Sequence, residues 1–217
     1  MNNKSILQKR TTTVLIVANI FVLALYVGGW SHLTPRHLQN QGKEIVRQHQ
    51  AKNEPVEIVD FKIKDKPIKF SEKFEGDSDW LRTISFKVKN KSNKPITWLR
   101  VDLTFPETSA TGHILLHQLF LGQRADLQST LSNQPLYLMP NESLEVTLTS
   151  QYDQIKRLIE GRQPPIDKIT KIEVGLGEVM FDDETLYSGG SIFKRNPNQN
   201  SRRKWVIVND QATSSNR

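Results

Sequence analysis

The chain of 217 residues contains no cysteine. This absence excludes a disulfide framework, a thiolate nucleophile, a cysteine-ligated zinc site and a Cys-x-x-Cys redox pair. It also excludes a lipoprotein, because acylation at a signal-peptide junction needs a cysteine. Any folded part of this chain must therefore be stabilised by its hydrophobic core alone.

Charge is absent from one long stretch, since the 25 residues between Arg10 and Arg36 include no Lys, Arg, Asp or Glu. The centre of this stretch, residues 14–27, is almost wholly apolar. A helix rises about 1.5 Å per residue and needs roughly 20 such residues to cross a hydrocarbon core of about 30 Å. The sequence predicts a transmembrane helix over residues 11–33, which binds the lipid bilayer.

The same stretch has a second interpretation, as a signal peptide. It follows a basic N-terminus, and cleavage after Gly29 would release a secreted or periplasmic protein. However, no A-x-A cleavage pattern is present, and Tyr26 and Trp30 stand where aromatic residues meet the membrane surface. These features favour an uncleaved signal-anchor.

The flanking charges predict the orientation of this anchor. Lys and Arg are about equally frequent on its two sides, but residues 1–10 contain no acid, whereas Glu44 and Glu54 dilute the bases on the other side. The positive-inside rule then places the N-terminal tail, residues 1–10, in the cytoplasm and the rest of the chain outside it. A large exported domain without disulfides is more typical of a bacterial envelope.

The distribution of charge argues against a nucleic-acid partner. The net charge of +7 and the pI near 9.6 suggest one at first. Yet residues 55–193 contain 17 Lys and Arg against 20 Asp and Glu, while residues 194–217 contain six bases and one acid. The basic residues therefore lie on the tails, and the folded part is mildly acidic.

Composition and hydrophobic period divide the remaining chain into three parts. Residues 34–54 are polar with few aliphatic side chains, so we expect a stalk there. Residues 55–195 show the period of two typical of half-buried strands, interrupted by one short helix between Ser150 and Gly161. Residues 196–217 form a basic, partly disordered C-terminal tail.

Alternation and turn residues give the strand assignments. The apolar faces of the predicted strands consist of Val59, Phe61 and Ile63, then Ile84, Phe86 and Val88, then Leu99, Val101, Leu103 and Phe105, and finally Ile172, Val174 and Leu176. The polar turn at 90–95 predicts a hairpin between the second and third of these strands. The parity changes at Gly175 and Gly177, which indicates a β-bulge.

Part of the domain resembles a known family. The segment Val88-Lys89-Asn90-Lys91-Ser92, the strand with Val101 and Phe105, and Leu138-Met139-Pro140-Asn141-Glu142 resemble the V-x-N-x-S, V-x-V-x-F and L-x-P-G-E elements of bacterial extracytoplasmic Ig-like domains of the FxLYD and LEA-like type. Asn141 replaces the usual glycine. The resemblance implies a single antiparallel immunoglobulin-like β-sandwich, a mainly β fold, in an envelope setting; it transfers no catalytic residue.

Few residues suggest chemistry. His113 and His117 are spaced as two metal ligands could be, but no further ligand is evident, so structural or surface roles are favoured. The cluster Asp182, Asp183 and Glu184 lacks the spacing of a calcium loop and is better explained as a solvated turn. We therefore expect no catalytic residue, no metal and no cofactor.

Two features suggest a partner. Ile96 and Trp98 lie opposite the apolar stripe of their strand, so they form either an exposed patch or a second face covered by the helix. The tail places Arg202, Arg203 and Lys204 beside Trp205, and this segment either contacts anionic lipid or glycan or folds back as an edge strand. The fold-back is favoured.

The sequence thus favours a membrane-anchored extracytoplasmic module that binds or scaffolds an envelope protein and is not an enzyme. A secreted or periplasmic ligand-binding protein, released by cleavage near Gly29, is the first alternative. A metal-dependent hydrolase that uses His113, His117 or Asp182 is the second.

Overall fold

A computed structural model of the chain describes residues 42–49, 51, 53–124, 134–198 and 202–208. The chain divides into two units, Met1–Gln41 and Gly42–Arg217, and all of the described residues belong to the second. The predicted transmembrane helix, residues 11–33, lies outside them. The described unit is mainly β with one short α-helix, which confirms the predicted class at that level.

Most of the strands belong to one sheet of eight. Its members are β1 (Lys43–Arg47), β4 (Lys73–Phe74), β6 (Ile96–Phe105), β7 (Leu115–Gly122), β9 (Lys171–Phe181), β10 (Leu186–Ser188), β11 (Ser191–Arg195) and β12 (Trp205–Ile207). The remaining strands, β2 (Val56–Ile63), β3 (Lys66–Pro67), β5 (Ile84–Asn90) and β8 (Ser143–Thr147), form a sheet of four in the order β3-β2-β5-β8.

Strand β9 is the centre of the large sheet. Along one edge it pairs with β6 for most of its length, and β6 in turn pairs with β7. Along the other edge its first half pairs with β1 and its second half with β10, which continues into β11 and β12. The β1–β9 pairing is parallel, so the large sheet is mixed rather than wholly antiparallel as expected.

The two sheets share one buried apolar cluster. Alternate residues of both sheets contribute to it, among them Ile58, Phe86, Leu103 and Ile172, each at most 1% exposed. This alternation follows from the period-2 geometry of strands, which sends successive side chains to opposite faces. The core is thus built by the residue pattern that the sequence displays, without any covalent crosslink.

The first strand corrects the predicted stalk over residues 34–54. Lys43–Arg47 forms β1 between β9 and β4, with Ile45 only 1% exposed. Lys43 is also buried, and its ammonium group donates to the carbonyl of Ile169 at 3.1 Å. The composition of the segment predicts exposure because few of its residues are aliphatic. Its burial depends on pairing with β9, more than 120 residues away, and local composition does not reveal this pairing.

The predicted hairpin at residues 90–95 is also incorrect. Strand β5 belongs to the small sheet and β6 to the large one, so the turn carries the chain from one sheet to the other. The Asn90 side chain, fully buried, donates to the carbonyls of Lys94 at 2.8 Å and Leu138 at 2.9 Å. The turn residues correctly predict a break between β5 and β6, but they do not specify which strand pairs with β5.

Register shifts change the parity of long strands at three places among the described residues, one of them between Ile96 and Trp98 of β6. In β9, Arg100 pairs with Glu178 and Val101 with Leu176, so Gly177 is an extra residue, as the sequence predicts. In β2, the register shifts between Val59 and Lys62, and Asp60 has a φ of 54°. Because of this bulge in β2, which sequence reasoning missed, Val56 and Ile58 face the core instead of Val59.

The helix α1 (Tyr152–Ile159) follows β8 and contributes Ile155 and Ile159 to the core. Leu158 of the same helix is exposed. The N-cap position is Gln151, and its side chain makes no capping hydrogen bond. Farther along the chain, β10 and β11 form a hairpin, joined by Gly189 and Gly190 with φ values of 56° and 85°.

Candidate functional site

The structure removes two residues from the predicted interaction surface. Ile96 is fully buried in the main core. Strict alternation with the apolar stripe that begins at Leu99 would place Ile96 on the opposite face of the strand. The β6–β9 register shifts between Ile96 and Trp98, and this shift turns Ile96 to the core. Trp98 is 3% exposed and belongs to a second, smaller apolar cluster with Met180 and Leu186. Neither residue is part of an exposed patch.

The cover over Trp98 comes from the C-terminal hairpin and not from the helix. Phe193 of β11 and Trp205 of β12 pack on the small cluster. The Arg124 guanidinium lies over both indole rings, 4.9 Å from the centroid of Trp98 and 5.6 Å from that of Trp205, and its Nη1 is 2.6 Å from Glu178 Oε2. The fold-back of Trp205 as an edge strand, which the sequence favoured, is confirmed by its pairing with Arg195.

Folding back brings two separate stretches of cations together. Lys194 pairs with Val206 and Arg195 with Trp205, so the end of β11 lies beside the residues that precede β12. Together they form what we call the basic hairpin, which consists of Lys194, Arg195, Arg202, Arg203 and Lys204. All five residues are exposed. The described residues 194–198 and 202–208 include no acidic residue.

A half-buried charged group lies on the outer face of the large sheet, beside the small apolar cluster. Arg100 Nε is 3.0 Å from Asp102 Oδ1, and Arg100 Nη1 is 3.6 Å from Glu178 Oε1. Burial raises the pKa of Asp102, whereas Arg100 lowers it by attraction and hydrogen bonding. A Cβ at Gly177 would lie 2.8 Å from both Arg100 Nη2 and Asp102 Oδ2, so the bulge glycine leaves room for this pair.

Sequence reasoning missed this charged group, although the bulge glycine was an available signal. Glu178 connects this group to Arg124, so the positive charges of Arg100 and Arg124 are balanced by two carboxylates. A half-buried network of this kind fixes the orientation of its side chains.

The two candidate histidines are not brought together as a metal pair. His113 lies on the loop before β7 and is exposed, whereas His117 is on the core side of β7 and is 5% exposed. Burial lowers the pKa of His117, and a side-chain hydrogen bond with Gln151 partly opposes this effect. Among the described residues no group of three or more His, Cys, Asp or Glu could hold a metal ion.

The acidic cluster at 182–184 is the turn between β9 and β10. Asp183 Oδ2 is 2.6 Å from Lys94 Nζ, and its Oδ1 accepts hydrogen bonds from the backbone N–H and the hydroxyl of Thr185. Glu184 has a φ of 62°, typical of a tight turn. The carboxylate of Asp183 is thus engaged in local structure, in keeping with a solvated turn.

No helix among the described residues has the length and hydropathy that a membrane span requires. Comparison of the chain with family models, with curated proteins and with solved structures gives no match. Function is therefore inferred from the residues of this chain. The basic hairpin is the candidate functional site, because it is exposed, charged and built on a paired strand.

Proposed function

We propose that this protein is a membrane-anchored, extracytoplasmic binding module of a bacterial cell envelope, without catalytic activity. In this proposal residues 11–33 span the membrane, and the domain that begins at Gly42 is an Ig-like sandwich. The uncharged stretch between Arg10 and Arg36 supports the anchor. The resemblance in the segments 88–92 and 138–142 supports the fold type.

The observation that carries the proposal is the basic hairpin. Five exposed cations, contributed by the end of β11 and by the residues that precede β12, create a positive potential on a domain that is otherwise mildly acidic. Such a potential attracts an anionic partner and accelerates its association. Trp205 and Arg124 hold the hairpin on the sheet, so the cations are presented on a defined surface.

The charge of the hairpin indicates the chemistry of its partner. The cations belong to the end of the large sheet that lies level with Met180, roughly 30 Å along the sheet from the first residues of β9 at about 3.3 Å per residue. An acidic segment of an envelope protein is the proposed ligand.

Site-specific photocrosslinking in the envelope tests this function. A photoreactive residue at Lys204 of the full chain is expected to give an adduct with another envelope protein, whereas the same residue at exposed Lys69 is not. Replacing Arg202 and Lys204 by glutamate, with the photoreactive residue at position 206, should abolish the adduct. The matched change of Lys66 and Lys69 should leave it intact. A lipid adduct alone, or no adduct, would contradict the proposal.

The anchored and released forms are distinguished by the mature N-terminus. We expect intact mass measurement of the envelope-bound protein to include residues 1–29, because the A-x-A pattern of a cleavage site is absent. A mature chain that begins at Trp30 would instead support the released, ligand-binding alternative.

A further inference from the structure

The outer edge of β7 differs from the other sheet edges that the structure describes. β3 and β4 are two residues long and each contains a lysine, β8 contains Glu145, and β12 adjoins the basic hairpin. Proteins protect open edges by short strands, charge, proline or bulges. β7 has none of these, since its eight residues are uncharged, lack proline and pair with β6 without a shift in register.

The surroundings of β7 also favour the pairing of this edge with another strand. No described strand pairs with its outer side. Ile114 and Leu116 are 54% and 45% exposed, although large aliphatic side chains gain free energy from burial. No charged residue occurs between Gly112 and Gly122. A long, uncharged, apolar edge is the kind of strand that pairs with another strand.

We propose that β7 is a self-association edge, where a second copy of this chain pairs antiparallel about a two-fold axis at Gln118. This register places Leu116 opposite Phe120 of the second copy and Leu115 opposite Leu121. Arg124, the first charged residue after β7, falls opposite Gly112. The occupant is a second copy because β7 is self-complementary: no like charges meet anywhere between 112 and 124, Leu116 and Leu115 face apolar residues, and His117 faces Leu119.

A single engineered cysteine tests this pairing, because the natural chain has no cysteine. At a two-fold axis the two Gln118 positions lie directly opposite, and Cα atoms of opposite residues in antiparallel strands are about 4.5–5.5 Å apart. This separation is within the range of a disulfide. The full-length Q118C variant in membranes is therefore expected to form an interchain disulfide under mild oxidation, which is read as a dimer band on a non-reducing gel.

The matched control is E145C, an exposed position on β8, the edge strand of the small sheet. The disulfide yield at position 118 should exceed that at position 145 about tenfold. Equal yields would indicate random collision, and no dimer at position 118 would exclude the pairing. A mixed disulfide between position 118 and a different protein, in place of the dimer, would also overturn the proposal.

A second variant separates pairing from folding. L116K places a charge opposite Phe120 in both halves of the dimer, so it should lower the yield of Q118C about tenfold, equal to about 1.4 kcal/mol. Because Leu116 is 45% exposed, the melting temperature should be retained. An unchanged yield would contradict the pairing. The basic hairpin is not involved, so failure here leaves the proposed function intact, and the reverse also holds.

Discussion

Single buried polar residues decide how the chain turns between its sheets. Asn90 is fully buried, yet all of its side-chain polar atoms are used: its amide group donates to Lys94 and Leu138, and its Oδ1 accepts from the backbone N–H and the hydroxyl of Ser92. Asn90 and Asn141 thus meet at one corner, where the Asn141 N–H donates to the Asn90 carbonyl at 2.9 Å. Asn141 there has a φ of 67°, a left-handed conformation that asparagine adopts more readily than most residues.

We expect N90A to lower the free energy of unfolding by about 2 kcal/mol, because it removes two hydrogen bonds to buried carbonyls and the acceptor for Ser92. Urea denaturation followed by tryptophan fluorescence measures the loss. N93A, at an exposed position of the same turn, serves as the control. Equal stability of the two variants would contradict the role of Asn90.

His117 makes the stability of the domain depend on pH. Burial lowers its pKa in the folded state below the ordinary value of 6.5, so the unfolded chain binds the proton more readily. The contribution of His117 is favourable above pH 6.5 and is lost as the pH falls from there through the lower folded-state pKa.

The corresponding measurement is the free energy of unfolding between pH 7.5 and pH 5.5 for the natural chain and for H117Q. The natural chain is expected to lose stability across this interval, and H117Q should show a smaller loss. H113Q changes an exposed histidine and should retain the full dependence. A pH dependence that is the same for all three proteins would exclude His117 as its source.

At the scale of elements, the position of β12 depends on one aromatic cluster. Trp205 contacts the cluster of Trp98, Met180 and Leu186, and Arg124 lies between the two indoles. The apolar residues of β12 are evident in the sequence. Its contact with Arg124 is not, because Arg124 is about 80 residues away along the chain.

We expect W205A to destabilise the hairpin by about 2 kcal/mol, from lost burial and two lost cation–π contacts. Hydrogen exchange should accelerate at Lys194 and Val206, while exchange in β5 stays slow. I207A, at a position that is 57% exposed, is the matched control. Unchanged exchange in W205A would show that the cluster does not hold β12.

At the scale of the whole molecule, the described domain begins before the residue that composition suggests. β1 occupies the position between β9 and β4, so a fragment that starts at residue 55 lacks an internal strand of the large sheet. The fragment would also expose the surface that Ile45 covers.

The fragment 42–217 is therefore expected to unfold cooperatively in urea, whereas 55–217 should be less stable by roughly 3 kcal/mol or more. I45A in the longer fragment provides an intermediate case. If 55–217 matched the stability of 42–217, β1 would be dispensable and the stalk prediction would be restored.

The sequence by itself determined the properties that depend on neighbours along the chain. The period of two placed Ile84, Phe86 and Val88 on one face, and the change of parity located the bulge at Gly177. Both features are local, because strand geometry couples residues two apart.

Tertiary structure decided everything that depends on contacts between distant segments. It alone assigned β5 and β6 to different sheets, buried Lys43 and Ile45 beside β9, covered Trp98 with Trp205, and joined the cations of the basic hairpin. The physical reason is common to all four. Pairing and packing energies arise between residues far apart in the chain, where a short sequence pattern fits several partners equally well.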